Sequence, residues 1–363
     1  MELIRSHERY RSMTLNLIPS ENIQSPNVLK ALATDLAGRY SYRPRYYAGT
    51  RYIDELWEYA EELAKKLFGA EYVFLEPLSG HIAALLTYAA LVKGRKMAAL
   101  APEFGGYMGN APDKLPDLIS AKVVYLPAVK EILIPDPEKS VELIRAEKPD
   151  LVVLGGSYML FPHPVKEIAE AIHEYGGLLA YDGSHVLGLI AGGVFQDPLR
   201  EGADILFAST HKTFPGPQGG LILTNNEEVY RKIAVNIFHK IADNIHFNKI
   251  GALAVCFEEM MRCGRKYAAK IVENAYELAK SLDELGVPVK AKEHGYTKSH
   301  QTILDFPDRE ERIRLRDKLE ECGIISDADL RLGVPEVTRR GMGRREMAKI
   351  GRASCRERVL VTV

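Results

Sequence analysis

The sequence has few cysteines and almost no net charge. Four cysteines, Cys256, Cys263, Cys322 and Cys355, occur in 363 residues, and their spacing fits neither a metal site nor a disulfide framework. Such sparse use of cysteine is typical of a reducing compartment. The formal net charge of −1 removes the electrostatic reason to expect nucleic acid or an anionic membrane as a partner.

The chain also lacks a long apolar run. Residues 1–20 contain no apolar segment like that of a signal peptide, and the longest apolar stretch, about Ile82–Val92, is too short to span a bilayer. Hydrophobic residues make up 46% of the chain and charged residues 27%, which is enough for a sizeable core. The sequence therefore predicts a soluble, cytoplasmic protein with one large and one small domain.

Segments with helical spacing alternate with short apolar runs through the first two thirds of the chain. The predicted strands are Tyr72–Leu75, Met97–Leu100, Lys122–Leu126, Leu151–Leu154, Leu178–Tyr181, Ile205–Ala208 and Leu221–Thr224. The predicted helices between them include Gly80–Val92, Pro137–Glu147 and Val165–Tyr175. Apolar strands separated by helices indicate an α/β fold whose mostly parallel sheet is sandwiched by helices.

The same patterns predict four segments along the chain. Residues 1–30 are an N-terminal arm, and residues 31–248 are the large α/β domain. Residues 249–350 are a smaller α+β domain with a long helix, a strand near Gln301–Phe306 and a charged helix near Asp308–Glu321. Residues 351–363 show no period that continues the preceding helix, so we expect a non-native-looking tail after a truncated small domain.

Two predicted strands end in residues suited to covalent cofactor chemistry. Lys212 follows the run Ile205–Ala208, where parallel α/β sheets bind ligands and where a desolvated amine can form a Schiff base. Asp182 ends the preceding strand, and a carboxylate there can keep the ring nitrogen of pyridoxal phosphate protonated. Each residue alone has a plain alternative, a surface lysine or a turn-forming aspartate. Together they predict a pyridoxal phosphate site.

Two further features are suited to the charged groups of such a cofactor and its substrate. Ser79, Gly80 and His81 precede an apolar helix, where backbone N–H groups bind phosphate, although a plain helix cap is the open alternative. Arg331 is suited to a bidentate contact with a substrate carboxylate, and a surface arginine is the alternative there.

Several motifs, in one order along the chain, resemble those of the serine hydroxymethyltransferases: Leu17–Asn22, Arg45–Gly49, Leu67–Tyr72, Asp182–His185, Thr210–Thr213 and Arg331–Gly341. The resemblance implies a pyridoxal-phosphate-dependent transferase of fold type I. It implies that Lys212 binds the cofactor covalently, that Asp182 pairs with its ring nitrogen and that His185 lies against its ring substituents. Ser79 and Gly80 would hold the phosphate.

The resemblance also implies how substrate and subunits meet. Ser157 would contact the cofactor, while Ser20 and Arg331 would bind the carboxylate of an amino-acid substrate. Tyr47 would act in the active site of a partner subunit, which makes a homodimer or a higher homo-oligomer the functional form. Candidate bases for a substrate hydroxyl are His211, His81 and Tyr47. The reaction implied is cleavage of the Cα–Cβ bond of a β-hydroxy-α-amino acid, serine or a related one, to give glycine, as in one-carbon metabolism.

Several positions differ from the family pattern, and some of these differences lie where the family binds or uses folate. Tyr107 stands where the family has a histidine that stacks on the cofactor, and His81 stands where it has a small hydroxyl residue. The segment Ser41–Arg45 has no acid where the family has a glutamate that assists folate chemistry, and the stretch between Ile325 and Arg331 is short. We therefore expect aldol chemistry without tetrahydrofolate, and no metal. The alternatives are an aminotransferase or other lyase on the same scaffold and a non-catalytic paralogue.

Overall fold

The computed structural model describes residues 1–92 and 94–355. Its helices are α1 (Glu2–Ser12), α2 (Pro26–Leu32), α3 (Arg51–Phe68), α4 (Gly80–Leu91), α5 (Leu115–Leu118), α6 (Pro137–Glu147), α7 (Val165–His173), α8 (Leu187–Ala191), α9 (Pro198–Glu201), α10 (Glu227–Ile237), α11 (Phe247–Glu284), α12 (Arg309–Glu321), α13 (Pro335–Arg339) and α14 (Arg344–Cys355). Its strands are β1 (Leu15–Asn16), β2 (Tyr72–Phe74), β3 (Lys96–Leu100), β4 (Lys122–Leu126), β5 (Ala128–Val129), β6 (Ile134–Pro135), β7 (Leu151–Gly155), β8 (Leu178–Asp182), β9 (Ile205–Ser209), β10 (Gly220–Thr224), β11 (Gln301–Ile303), β12 (Ile324–Ile325) and β13 (Arg331–Gly333).

A seven-stranded sheet with the order β2-β10-β9-β8-β7-β3-β4 forms the centre of the larger unit. Its strands β4, β3, β7, β8 and β9 run parallel, whereas β10 is antiparallel to both β9 and β2. The predicted mostly parallel sheet is confirmed, and each of its predicted strands ends within one residue of the observed one. The antiparallel direction of β10 depends on long-range pairing, which the local pattern does not encode.

Helices pack on this sheet through apolar faces, as the helical spacing predicts. In α4 the residues Ala83, Leu86 and Tyr88 are fully buried, and they pack with sheet residues such as Phe207 in one hydrophobic cluster. The strands β7 and β9 are buried along their whole length, which explains their continuous apolar sequences. No helix in the part of the chain described here is long and apolar enough to cross a membrane.

The chain divides into two compact units, and the division differs from the predicted one. The larger unit is Gln24–Arg265, and the smaller combines Met1–Ile23 with the chain from Lys266 onward. The expected boundaries after residues 30 and 248 are therefore displaced. Because α11 continues across the division without a proline, no local signal marks it.

The first residues belong to the smaller unit because they pair with its distant end. Leu15 of β1 pairs in parallel with Ile324 of β12, and Asn16 donates from Nδ2 to Oε2 of Glu336 at 2.7 Å. A second ladder joins β11 and β13 in antiparallel fashion. Such pairings across roughly the whole chain cannot be inferred from local sequence patterns.

The predicted tail has no separate start in the structure, because the preceding helix extends through its first five residues. Helix α14 runs from Arg344 to Cys355, so Gly351 continues a helix rather than ending one. Gly351 is buried against α11, where a Cβ atom would lie 2.7 Å from Oγ of Ser281. The hydroxyl of Ser354 is also buried and donates to the Ile350 carbonyl at 2.9 Å. The rest of the predicted tail, residues 356–363, lies outside the described residues.

Candidate active site

One cavity of about 190 Å³ lies at the carboxyl ends of the parallel strands. Every residue predicted to bind the cofactor contributes to its wall. The lining residues are Ser79, Gly80, His81, Tyr107, Gly156, Ser157, Asp182, Ser184, His185, Ser209, His211 and Lys212. All of them belong to the larger unit, and they come from segments that follow β2, β3, β7, β8 and β9. This is the edge at which open α/β sheets bind ligands.

The amino end of α4 forms one wall of the cavity. Ser79 caps this helix, since its Oγ accepts a hydrogen bond from the Ile82 N–H at 3.1 Å. Gly80 allows a close approach to β9, because a Cβ atom at this position would lie 2.8 Å from the Ser209 nitrogen. The first N–H groups of a helix have no partner within it and attract anions. The arrangement therefore suits a phosphate group.

Asp182 is a buried acid at the last position of β8. Burial raises the pKa of its carboxyl, while the nearby positive charge of Lys212 and the hydrogen bond from the Ser184 N–H, at 2.9 Å, lower it. A buried carboxylate is stabilised by a positively charged partner within the same cavity. A protonated ring nitrogen would be such a partner.

The loop that carries Lys212 is fixed at both of its ends. Thr210 donates from its backbone to the Gly219 carbonyl at 3.1 Å and from Oγ1 to the Pro217 carbonyl at 2.7 Å. On the far side, the Thr213 hydroxyl donates to the His185 carbonyl at 2.7 Å. These contacts tie the loop to itself and to the segment after β8, so the backbone at Lys212 is held in place.

Two polar atoms in the cavity wall have no hydrogen-bond partner in the described part of the chain. They are Oγ of Ser209 and Nδ1 of His211, and both are buried. Burial, together with the charge of Lys212, lowers the pKa of His211 to about 4. At neutral pH its imidazole is therefore uncharged, and its unprotonated nitrogen can accept a hydrogen bond. Unpartnered buried polar atoms are rare in folded proteins and here are consistent with a polar ligand.

His81 and Tyr107 contact each other in the cavity wall. Nδ1 of His81 lies 2.7 Å from the phenol oxygen of Tyr107, and the two rings meet edge to face at 6.1 Å. Burial and the charge of Asp182 both raise the pKa of Tyr107, so its phenol is protonated at neutral pH. Both residues were identified as departures from the family pattern, and the structure brings these departures into contact.

The backbone below the cavity is packed too closely for side chains at two glycines. At Gly155, where φ is +87°, a Cβ atom would lie 2.1 Å from the Asp182 carbonyl oxygen. At Gly156 it would lie 2.5 Å from the Gly105 carbonyl oxygen, which also accepts from the Ser157 N–H at 2.8 Å. These close approaches fix the backbone that precedes Ser157 against the end of β8, which carries Asp182.

Tyr47 is not among the residues that line the cavity of its own chain. It is 44% exposed, and its ring packs with the rings of Tyr40 and Tyr46, at 6.0 and 5.0 Å. Its predicted role in a partner subunit therefore remains a prediction.

Ser20 and Arg331 belong to the smaller unit, where the structure brings their segments together. The Gly333 N–H donates to the Leu17 carbonyl at 2.7 Å, and a Cβ atom on Gly333 would lie 2.2 Å from Cα of Pro19. Arg331 is held by Asp327, with Nε and Nη2 each 2.9 Å from Oδ2. Their predicted contact with a substrate carboxylate stays a prediction.

Three lining residues were not predicted: Gly156, Ser184 and Ser209. Ser184 lies inside the Asp182–His185 motif, so that motif held a usable signal. Ser209 is the last residue of β9, and only a rule that treats every strand end as part of the site would have found it. In the described residues no cluster of acids, histidines or cysteines could hold a metal ion.

The residues present fit pyridoxal phosphate. The α4 terminus suits the phosphate, Asp182 suits the ring nitrogen, and Lys212 supplies an amine beside them in the same wall. The unpartnered atoms of Ser209 and His211 add polar contacts that such a ligand can use. No single one of these features is specific, but one cavity contains all of them.

Comparisons with known proteins agree with this arrangement. Residues 1–353 match the family model described as serine hydroxymethyltransferase. The serine hydroxymethyltransferase of Methanothermobacter marburgensis is 40% identical over 96% of this chain and 87% of its own length. That of Pyrococcus horikoshii is 41% identical over 99% of this chain and 90% of its own.

A solved structure is similar over nearly the same extent. The crystal structure of L-threonine transaldolase from Pseudomonas fluorescens, in its internal aldimine state, superposes with a TM-score of 0.90 at 28% identity. It covers 98% of this chain, and this chain covers 86% of that one. The predicted fold class is confirmed, and the chain is an enzyme that belongs to the serine hydroxymethyltransferase family.

Proposed function

We propose that this enzyme uses pyridoxal phosphate to break the Cα–Cβ bond of a β-hydroxy-α-amino acid and, in reverse, to form it from glycine. Serine or a related amino acid is the substrate. The observation that supports this most is the placement of Asp182 and Lys212 in one cavity wall beside the amino end of α4. Family membership supports pyridoxal phosphate as the cofactor.

The protein's own groups each have a task in this proposal. The cofactor, when bound, supplies an electron sink for the bond broken at Cα. Asp182 keeps the ring nitrogen protonated, and Lys212 anchors the cofactor and can move a proton at Cα. His211 is neutral at pH 7 because its pKa is lowered to about 4, and we assign it to accept a hydrogen bond from the substrate hydroxyl, since so low a pKa makes it a weak base. The carboxylate of the substrate is assigned to Ser20 and Arg331.

We also propose that tetrahydrofolate is not required. The segment Ser41–Arg45 contains no carboxylate, and the guanidinium of Arg43 is directed to its own chain. Both oxygens of Glu61 accept from Arg43 at 3.0 Å, and the guanidinium stacks 3.9 Å from the centre of the Trp57 ring. Arg43 thus contacts Glu61 and Trp57 of its own chain. Direct cleavage needs only stabilisation at Cα and a base on the β-hydroxyl.

Threonine cleavage tests the proposed function. With the cofactor-loaded enzyme, acetaldehyde and glycine are expected from threonine, at a rate that added tetrahydrofolate changes by less than about twofold, because no step involves the folate. Acetaldehyde release is measured in a coupled assay, with serine as a second substrate. Activity that appears only with serine and tetrahydrofolate would contradict the folate proposal and leave the cofactor assignment intact.

Two alternatives give different products. An aminotransferase would release a keto acid and leave pyridoxamine phosphate on the protein, and a non-catalytic paralogue would bind the cofactor without turnover. Product analysis by mass spectrometry separates the three cases.

Tyr107 is proposed to stack on the cofactor ring. An offset aromatic contact contributes about 0.5–1.5 kcal/mol beyond area burial, so Tyr107→Ala should weaken cofactor retention about tenfold. Tyr107→Phe keeps the ring and should change retention little, although it removes the hydrogen bond to His81. Retention is measured by dialysis and cofactor absorbance. Equal retention in the wild type and the alanine variant would place the ring elsewhere.

We propose a homodimer or a higher homo-oligomer as the functional form, in the cytoplasm. Exposed aromatic residues near Tyr47, namely Tyr40, Tyr46 and Tyr52, support a protein interface on this face. Mixing Tyr47→Phe with Lys212→Ala subunits tests the shared site. If Tyr47 serves the partner subunit, the mixture recovers part of the activity that each variant lacks alone.

A further inference from the structure

Lys249 is a buried lysine outside the cavity wall, on the first turns of α11. Only 3% of its surface is exposed. Its ammonium group donates to three consecutive carbonyl oxygens, those of Leu75 at 2.6 Å, Glu76 at 3.1 Å and Pro77 at 2.9 Å. An ammonium group has three N–H donors and no acceptor, so these three carbonyls use its full capacity.

The three carbonyls belong to the turn that leads from β2 into the phosphate-binding end of α4. Two residues after Pro77 comes Ser79, the cap of that helix. The turn is also packed against β10, where a Cβ atom on Gly220 would lie 2.3 Å from the Ser79 carbonyl oxygen. The position of Ser79 and Gly80 therefore depends on how the preceding carbonyls are held.

The stem of Lys249 also touches the loop that carries Lys212. A Cβ atom on Gly219 would lie 2.8 Å from Cδ of Lys249 and 3.0 Å from Oγ1 of Thr210. Thr210, at the start of that loop, in turn donates to the carbonyls of Pro217 and Gly219 near its end. One side chain thus lies behind both the phosphate-binding turn and the lysine loop.

The charge of Lys249 is compensated by carbonyl dipoles more than by an ion pair. Burial lowers its pKa to about 8, and Glu76 opposes this shift. Burial raises the pKa of Glu76 to about 7, and Oε2 of Glu76 has no hydrogen-bond partner among the described residues. No carboxylate oxygen of the described chain lies within 4 Å of the Lys249 ammonium group. Proteins also hold monovalent metal ions with backbone carbonyl oxygens, so the ammonium group takes a place that such an ion can occupy elsewhere.

We propose that Lys249 is a positioning residue whose ammonium group acts as a built-in cation, ordering the carbonyls of Leu75–Pro77 so that Ser79 and Gly80 bind the cofactor phosphate. This rests on the proposed cofactor, but it concerns only the phosphate end of the site. Lys249 is not among the residues that line the cavity, and its stem rather than its charge lies beside the lysine loop, so removal of the charge alone should affect binding through the phosphate.

The test compares pyridoxal 5′-phosphate with pyridoxal, which lacks the phosphate. Lys249→Met keeps the aliphatic stem beside Gly219 and removes the charge. The dissociation constant of this variant for pyridoxal 5′-phosphate should be about tenfold or more above that of the wild type. Its dissociation constant for pyridoxal should change by less than about twofold. Binding is followed by cofactor absorbance. Lys266→Met, an exposed position on the same helix, is the matched control and should change neither constant.

The outcomes distinguish a failure of the role assigned to Lys249 from a failure of the proposed function. Equal losses for both ligands, or none, would overturn the role assigned to Lys249. If the methionine variant does not fold, Lys249→Gln, which retains a neutral donor, gives the same comparison. Failure of both variants to fold while Lys266→Met folds would show that Lys249 supports the fold as a whole, which also overturns the proposal. A wild type that does not bind pyridoxal 5′-phosphate would instead contradict the proposed function.

Discussion

Lys212→Ala is expected to abolish covalent attachment of the cofactor. In the wild type, borohydride reduction of the loaded protein should fix the cofactor to the peptide that contains Lys212. In the variant this label should fall to background, since no other lysine among the described residues lines the cavity. Turnover should fall by about 10²–10⁴-fold, which is the typical effect of losing a positioned acid or base. Peptide mapping by mass spectrometry measures the label.

Two variants control this experiment. Lys212→Arg keeps a positive charge near Asp182 but cannot form a Schiff base, so it should lose the label as fully as the alanine variant does. Lys232→Ala removes an exposed lysine that pairs with Glu228 on α10 and should keep full labelling. A label that persists on another peptide in Lys212→Ala would end the assignment of Lys212.

Asp182→Asn is expected to lower turnover without lowering the unfolding temperature of the protein. The amide cannot hold a proton on the cofactor ring, so turnover should fall by about 10²–10³-fold, as for the loss of one electrostatic group in an active site. The empty protein should unfold at the same temperature as the wild type or a higher one. Burial raises the pKa of Asp182, so the folded state is penalised for its charge above that pKa, and asparagine removes this penalty.

The control is Asp182→Glu, which keeps a carboxylate at this position. It should retain more activity than the asparagine variant. Thermal unfolding of the empty proteins and turnover of the loaded ones are measured side by side. If Asp182→Asn retained wild-type turnover, the ring nitrogen would have another partner. If it unfolded at a much lower temperature, Asp182 would have a structural role instead.

The sequence predicted the sheet and most of the cavity wall because both depend on local patterns. Continuous apolar runs predicted β7, β8 and β9 within one residue, and the polar residues directly after them became cavity residues. Asp182 and Lys212 were predicted from strand ends alone. Family resemblance named Ser157 and His185 among the residues after these strands, and both line the cavity.

The remaining features depend on contacts between distant residues. The pairing of Leu15 with Ile324 moves the first residues into the smaller unit, and no local signal announces it. Helix α14 continues through Gly351, which packs against Ser281 of α11, whereas the sequence shows no period there that continues the preceding helix. Lys249 was overlooked because a lysine in a helix is most often exposed. Its three carbonyl partners lie more than 170 residues away.

Exchange of hydrogen at Cα of glycine shows whether this cavity holds pyridoxal phosphate and activates a bond at Cα. In heavy water, the cofactor-loaded protein should replace an α-hydrogen of glycine by deuterium, as followed by proton NMR, with no folate added. The glycine should remain glycine, and the Lys212→Ala variant should exchange at background rate. Release of a keto acid with accumulation of pyridoxamine phosphate, or no exchange at all in a protein that holds the cofactor, would contradict the account.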